Sequence, residues 1–220
     1  MSLRHKCITP RARNFLWRAM HGAYKIGRYW AHIPGHEDRQ KCEECNNTDE
    51  TMEHILTMCR TSGQRVIWEA AKRLWALRGL EWPEISLGSI LGCGTRIIRS
   101  NNRRAILPGA TRLYRIIMTE SAHLIWKLRC RWRIQDASNP TKLPTDNEIW
   151  NKWIDTINRR LQLECLQTNR ARYGRSTISA AVVENTWWAV LLQRDNLPED
   201  WVKSTGVLVG IGRRPPGRNR

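Results

Sequence analysis

Hydrophobic residues along this chain recur every three or four positions, which is the spacing of one face of an α-helix. The first helix is predicted to begin after Thr9 and Pro10, which suit the N-cap and the first helical position. A second helix is predicted from Gln64 to Leu77, with Gly79 ending it. The apolar stripe of the first helix contains Phe15, Leu16, Ala19, Ala23 and Tyr24.

Three more helical patterns follow in the second half of the chain. One runs through Leu113, Ile117, Leu124, Leu128 and Trp132. The next begins at Asp146, taken as its N-cap, and continues to about Arg170. The last carries apolar residues from Ile178 to Leu191. Short connections between such amphipathic helices favour an antiparallel bundle.

Three cysteines and one histidine lie between the first two predicted helices, with the spacing C-x2-C-x8-H-x4-C. Thiolates and imidazole nitrogens are the ligands of structural zinc sites, which use four of them in a tetrahedron. We therefore predict one Zn²⁺, bound by Cys42, Cys45, His54 and Cys59. His36 is a weaker alternative ligand because it lies outside the loop. The competing interpretation is that the thiols are buried apolar groups and His54 is a hydrogen-bonded helix residue.

Further residues on both sides of this motif form an ordered set. An aromatic pair with one residue between precedes the two cysteines, an acid and a hydroxyl residue precede the histidine, and a tryptophan follows the last cysteine. These residues are Phe15, Leu16, Trp17, Cys42, Cys45, Glu50, Thr51, His54, Cys59 and Trp68. This set resembles the zinc-binding domain found downstream of the reverse transcriptase in non-LTR, LINE-like retroelements of plants and fungi. The resemblance covers about residues 10 to 75 and implies a zinc-stabilised module from a retroelement.

The expected fold class is mainly α, with a small CCHC zinc-binding helical domain followed by a helical bundle. Glycines and prolines from Trp82 to Gly94 mark the best boundary between the two. We therefore predict a zinc-binding domain at 1–80, a linker at 81–103 and a helical extension at 104–204. Residues 205–220 are rich in arginine, glycine and proline, and we expect a basic disordered tail.

The charge of the chain favours nucleic acid as a partner. The 220 residues include 37 Lys and Arg against 20 Asp and Glu, a formal net charge of +17. Residues 96–133 hold ten basic side chains and the single acid Glu120. A solvated helix face is the alternative explanation of this segment. We predict non-specific RNA or DNA binding, with phosphate contacts from Arg96, Arg99, Arg103, Arg104, Arg112 and Arg115.

Twelve tryptophans against one phenylalanine suggest a second mode of contact, the stacking of unpaired bases. Most of the tryptophans occupy or adjoin apolar stripes and are predicted to be buried. This group contains Trp17, Trp68, Trp75, Trp126, Trp132, Trp153 and Trp187. Tyr29, Trp30 and Trp188 are the better candidates for exposed contact.

No catalytic activity is expected. The chain has no Asp-Asp pair for a polymerase metal site and no evident set of carboxylates for ribonuclease H. One alternative is a remnant of a restriction-like endonuclease, with Glu199, Asp200 and Lys203 as its faint signature. Another is a protein-interaction domain or a decayed reading frame. The chain opens directly on the zinc-binding region, as expected of a retroelement fragment that has lost its enzymatic domains.

No apolar stretch approaches the length needed to span a bilayer, and no signal-peptide pattern follows the basic N-terminus. We therefore expect no membrane partner, no small-molecule substrate and a location inside the cell, in the nucleus. Four cysteines outside the motif, expected to stay reduced, agree with that compartment. They are Cys7, Cys93, Cys130 and Cys165.

Overall fold

The computed structural model describes residues 5–45, 48–102 and 104–215, and it confirms a mainly helical fold. Two very short strands, β1 (Lys41–Cys42) and β2 (Thr48–Asp49), pair antiparallel in the metal loop. Even the longest helices are too short or too polar to cross a membrane, within the part of the chain that is described. The α-helices are α1 (Pro10–Met20), α2 (Gln64–Ala76), α3 (Leu87–Leu91), α4 (Pro108–Cys130), α5 (Asp146–Leu166), α6 (Arg170–Tyr173) and α7 (Ala180–Trp187).

Helix ends follow local capping chemistry. The Thr9 hydroxyl accepts a hydrogen bond from the Ala12 amide, with Pro10 at the first position of α1. At α5 the cap is Thr145, one residue before the predicted Asp146. Thr145 and Glu148 form a reciprocal capping box, because each side chain accepts a hydrogen bond from the other's backbone amide. Asp146 instead places its charge in the positively polarised first turn.

Helix α4 is the centre of the molecule. It packs against α1, α2, α3, α5 and α7, and it buries residues around most of its circumference. One continuous apolar core runs from Cys7 to Val209, so the two predicted units share a single core. The boundaries at residues 80, 103 and 204 remain predictions.

Two predicted features of the packing are wrong. Trp17 is 46% exposed, because α1 turns Ala12, Phe15 and Leu16 inward and Trp17 lies beyond the edge of that stripe. The last long helix is also shorter than expected. It ends at Trp187 and continues as a tight 3-10 turn over Trp188–Val190.

The expectation of a disordered tail is also wrong as far as residue 215. Val207 and Val209 are buried, and Leu191 forms a β-bridge with Val209. The backbone that follows is held along α5 by hydrogen bonds to side chains. Trp150 donates to the Gly212 carbonyl, and Asn151 both donates to and accepts from the backbone of Arg214. These hydrogen bonds satisfy the polar groups of the extended backbone. The segment is therefore held in place without a periodic apolar pattern in its sequence.

Candidate metal centre

The first two predicted ligands lie on the small β-hairpin. Cys42 ends β1 and pairs with Thr48 of β2. Cys45 closes the 3-10 turn Glu43–Cys45, and its carbonyl accepts a 2.6 Å hydrogen bond from the Thr48 hydroxyl. The hairpin and its turn thereby bring two thiols three residues apart into one pocket.

The other two ligands lie at the two ends of a π-type helical turn, His54–Met58, which Thr51 caps with a 3.0 Å bond to the His54 amide. The amide of Cys59 donates to the carbonyl of His54 at 2.7 Å, five residues back. In a regular α-helix, residues five apart are separated by about 140° around the axis. The wider π turn reduces this angle, which brings the imidazole and the thiol toward one side.

The four side chains converge as the sequence predicts. Their ligand atoms all lie within 4.8 Å of one another, and Cys42 Sγ is 3.9 Å from Cys59 Sγ. Two sulfurs bound to one tetrahedral Zn²⁺ are separated by about 3.8 Å, given a Zn–S bond of about 2.3 Å. His54 Nε2 is buried and has no hydrogen-bond partner among the described residues, so it is available to bind a metal ion. The residues therefore fit a metal ion, and His36 is not a member of the group.

The surroundings of the thiols favour a thiolate at Cys59. The Arg60 amide donates to Cys45 Sγ at 3.4 Å, and the Thr61 hydroxyl lies 3.3 Å from Cys59 Sγ. The hydrogen bond from Cys42 lowers the pKa of Cys59 to about 4, while the same bond, together with burial, raises the pKa of Cys42. A metal ion that binds both sulfurs would displace the remaining proton, because zinc binds cysteine as the thiolate.

Two other residues of the set that resembles the zinc-binding family, Trp68 and Glu50, hold the metal loop in position. Trp68 Nε1 donates to the Leu56 carbonyl at 2.8 Å, which fixes the π turn on α2. Glu50 is buried and accepts two hydrogen bonds from Arg129 of α4. Thr51, and not one of the acids of this loop, caps the helical turn that follows. The partner of Glu50 lies 79 positions away, beyond any local pattern.

The six predicted phosphate-binding arginines have different environments. Arg96, Arg99 and Arg104 are exposed, whereas Arg103 lies outside the described residues. For the remaining two, Arg112 and Arg115, the prediction is wrong. Both are half-buried and have hydrogen-bond partners within the protein, which the local charge density did not reveal.

Arg112 is committed to a buried ion pair. Its guanidinium donates to both carboxylate oxygens of Glu164 at 2.5 and 2.8 Å, and Glu164 is fully buried. Glu164 also accepts from Arg160 at 2.7 Å and from Trp187 at 2.9 Å. Four donated hydrogen bonds compensate the buried carboxylate, so Arg112 is structural.

Arg115 links two segments of the chain. It donates a 3.2 Å hydrogen bond to the Arg96 carbonyl, and its other terminal nitrogen lies 3.4 Å from His5 Nδ1. Its guanidinium therefore has partners within the protein. The contact places the residues before α1 beside the segment that begins at Arg96.

Comparison with known proteins agrees with the metal site. A family model described as zinc-binding in reverse transcriptase matches residues 2–68. The resemblance to a reverse-transcriptase zinc-binding domain is therefore confirmed for residues 2–68, and the match contains all four proposed ligands. No curated protein and no solved structure matches this chain significantly.

Proposed function

We propose that this chain is a zinc-stabilised, non-specific nucleic-acid-binding module related to retroelements, with no catalytic activity of its own. The choice of zinc rests on the ligands, because three cysteines and one histidine form the closed tetrahedral set typical of structural zinc. Such a set has no open position for a reacting water. The metal would act by fixing the loop between Cys42 and Cys59 on α2 and α4.

The observation that carries nucleic-acid binding is an exposed basic hairpin, described at residues 96–102 and 104–106, on a strongly positive chain. Its two arms are joined by the Arg99–Ile106 bridge and by a 2.9 Å bond from the Ser100 amide to the Ala105 carbonyl. Arg96, Arg99 and Arg104 project from it into solvent. None of the three forms an ion pair with a described carboxylate. Free guanidinium groups on a net charge of +17 are suited to phosphate.

The dependence of affinity on salt tests this proposal. Each phosphate contact contributes about 0.7 to 0.9 to the slope of log affinity against log salt. We expect the triple change Arg96→Gln, Arg99→Gln, Arg104→Gln to reduce the slope by about 2 to 3. Binding of RNA and DNA oligonucleotides at several salt concentrations, by fluorescence anisotropy, gives the slope.

A matched control removes the same charge elsewhere. Arg170, Arg172 and Arg175 are also exposed, and their triple change to Gln lowers the net charge equally. Only the hairpin variant should show this reduction of the slope. Equal effects of the two variants would show that the hairpin makes no direct contact, and absence of binding at low salt would contradict the proposed function.

The absence of catalysis is tested separately. Glu199 and Asp200 lie in a turn before the 3-10 segment Trp201–Lys203, and Asp200 forms an exposed ion pair with Lys203 at 3.7 Å. The nuclease alternative would need these residues on a β-hairpin. Incubation with plasmid, single-stranded DNA and an RNA–DNA hybrid in Mg²⁺ or Mn²⁺ should leave all three intact. Cleavage that is lost in Asp200→Ala would establish the nuclease instead.

A further inference from the structure

The first 36 residues of the chain contain no acidic side chain. The first acid is Glu37, and seven Lys and Arg precede it. Most protein surfaces have acidic and basic side chains interspersed. In this segment, by contrast, no acidic side chain balances the positive charge. A count of basic residues alone does not single out this segment, because residues 96–133 contain more arginines. The basic residues are Arg4, Lys6, Arg11, Arg13, Arg18, Lys25 and Arg28.

The same segment exposes large aromatic rings. Trp17 projects from the outer side of α1, with the ring of His21 4.6 Å away. Tyr29 is 45% exposed, with Lys25 Nζ 5.5 Å from the centre of its ring. Arg18, beside Trp17, is exposed and lies over the ring of Tyr24. Aromatic surface and positive charge are thus interleaved on the outside of this segment.

Neighbouring elements extend the positive surface. Lys127 of α4 and Arg11 of α1 are exposed. Burial, together with the charges of Lys127 and Arg11, lowers the pKa of the neighbouring His123 to about 4. At the other end, Arg115 connects His5 with the beginning of the basic hairpin at Arg96. The N-terminal segment and the hairpin are therefore adjacent.

The metal loop fixes the position of Tyr29. Gly27 has a positive φ of 51°, and a Cβ at that residue would lie 3.1 Å from the Glu50 carbonyl oxygen. The chain just before Tyr29 thus packs directly on the backbone of the metal loop. Glu50 is in turn held by Arg129 of α4.

We propose that the outer surface of residues 11–29 binds single-stranded nucleic acid, with bases stacked on Trp17 and Tyr29 and phosphates bound by the surrounding cations. This inference rests on the proposed function and names its ligand class and its surface. Unpaired bases can leave their own stack and place a face on an aromatic ring, whereas the bases of a duplex cannot do so without unstacking. The hairpin then supplies further phosphate contacts along the same strand.

An anionic membrane is the other partner that exposed aromatic and basic residues could bind. Membrane-surface helices insert a continuous apolar face into the lipid. In α1 that face, formed by Ala12, Phe15 and Leu16, is already buried in the core. The structure therefore favours nucleic acid, and lipid vesicles belong in the test.

The test compares oligo(dT), oligo(U) and a DNA duplex of equal length as ligands of the full chain. The double change Trp17→Ala, Tyr29→Ala should weaken single-strand binding at least about tenfold, since each change removes a ring on which a base stacks. Duplex binding, which is mainly electrostatic, should change little. Trp17→Phe with Tyr29→Phe should keep most of the affinity, because a ring remains at both positions.

Trp188→Ala is the matched control. Trp188 is 41% exposed, but it lies in a stretch with four acids from Glu184 to Asp200 and the single cation Arg194. Its removal should leave binding unchanged. Circular dichroism and thermal unfolding establish that each variant is folded.

The outcomes separate the two proposals. Failure of the unmodified chain to bind any nucleic acid would overturn the proposed function. Binding that is unaffected by the double alanine change, or that Trp188→Ala weakens equally, would overturn this surface alone. Affinity for phosphatidylserine vesicles above that for oligo(dT), lost in the same double variant, would assign the surface to membranes.

Discussion

Glu50 of the metal loop and Arg129 of the central helix α4 form a buried, two-point ion pair. Arg129 Nε donates to one carboxylate oxygen at 3.1 Å, and a terminal guanidinium nitrogen donates to the other. Arg133 adds a second positive charge, with its Nε 3.8 Å from Glu50. A small loop with little core of its own is thereby attached to the largest helix of the molecule.

Removal of Glu50 should strongly destabilise the fold. Glu50→Leu leaves the Arg129 guanidinium buried without its carboxylate, which costs about 3 to 5 kcal/mol. Arg65→Ala is the control, because the Arg65–Asp146 pair is exposed on both sides and contributes at most about 1 kcal/mol. Urea unfolding of both variants measures the difference. Similar losses in the two would show that the buried pair does not anchor the loop.

Substitution of Gly27 and of Gly22 distinguishes the cost of a steric contact from the cost of backbone strain. Both have positive φ, but a Cβ at Gly22 would meet no atom of the described residues within 4 Å, whereas at Gly27 it would press on the Glu50 carbonyl. Gly22→Ala should cost about 1 kcal/mol from strain alone. Gly27→Ala should cost clearly more and lower zinc affinity, as measured by chelator competition. Equal costs with unchanged zinc affinity would contradict the close packing of this segment on the metal loop.

Arg112 should be needed for stability and not for binding. Arg112→Gln removes one of the two arginines that pair with the buried Glu164, and we expect a loss of about 3 kcal/mol in the free energy of unfolding. At a temperature where the variant remains folded, its affinity for oligonucleotides should equal that of the unmodified chain. A folded variant with normal stability and weakened binding would return Arg112 to the phosphate-binding set.

His123 should make the fold sensitive to mild acid. Its pKa is about 4 in the folded chain, against an ordinary value of 6.5, chiefly because of burial. Between these values the unfolded chain binds a proton that the folded chain does not, so stability falls as the pH falls from about 6.5 to 4. After allowance for partial exposure, the loss is about 1 to 2 kcal/mol.

His123→Gln provides the comparison. Free energies of unfolding at a series of pH values should decline less steeply for this variant over that interval. Loss of metal in acid affects both proteins, so the difference between the two curves isolates His123. Identical curves would show that His123 titrates normally in the folded chain.

Local patterns predicted part of this structure well. Thr9 and Pro10 marked the start of α1, and the cysteine and histidine spacing identified four side chains that the fold brings together. Such features depend on neighbours in sequence. The charge pattern misled because the partner of Arg112 is 52 residues away. A basic stretch that supplies buried ion pairs is indistinguishable, in sequence, from one that faces solvent.

The C-terminal segment illustrates a second limit. Three asparagines of α5 form hydrogen bonds with the backbone of this segment. Asn147 donates to the Pro215 carbonyl, Asn151 donates to the Arg214 carbonyl, and Asn158 accepts from the Val209 amide. Polar residues on a helix normally indicate a solvent-exposed face, and composition indicates disorder in a segment rich in glycine and proline. The polar residues of α5 and the backbone of the C-terminal segment are hydrogen-bond partners, and only the folded structure shows this pairing.

Zinc content is the measurement that tests the metal centre most directly. Elemental analysis of the purified, folded chain should give one equivalent of Zn²⁺, and Cys45→Ser should lose most of it. Cys165→Ser, which changes a thiol of α5 outside the site, should retain the full equivalent. Less than about half an equivalent in the folded chain, or equal zinc in Cys45→Ser and Cys165→Ser, would contradict the account.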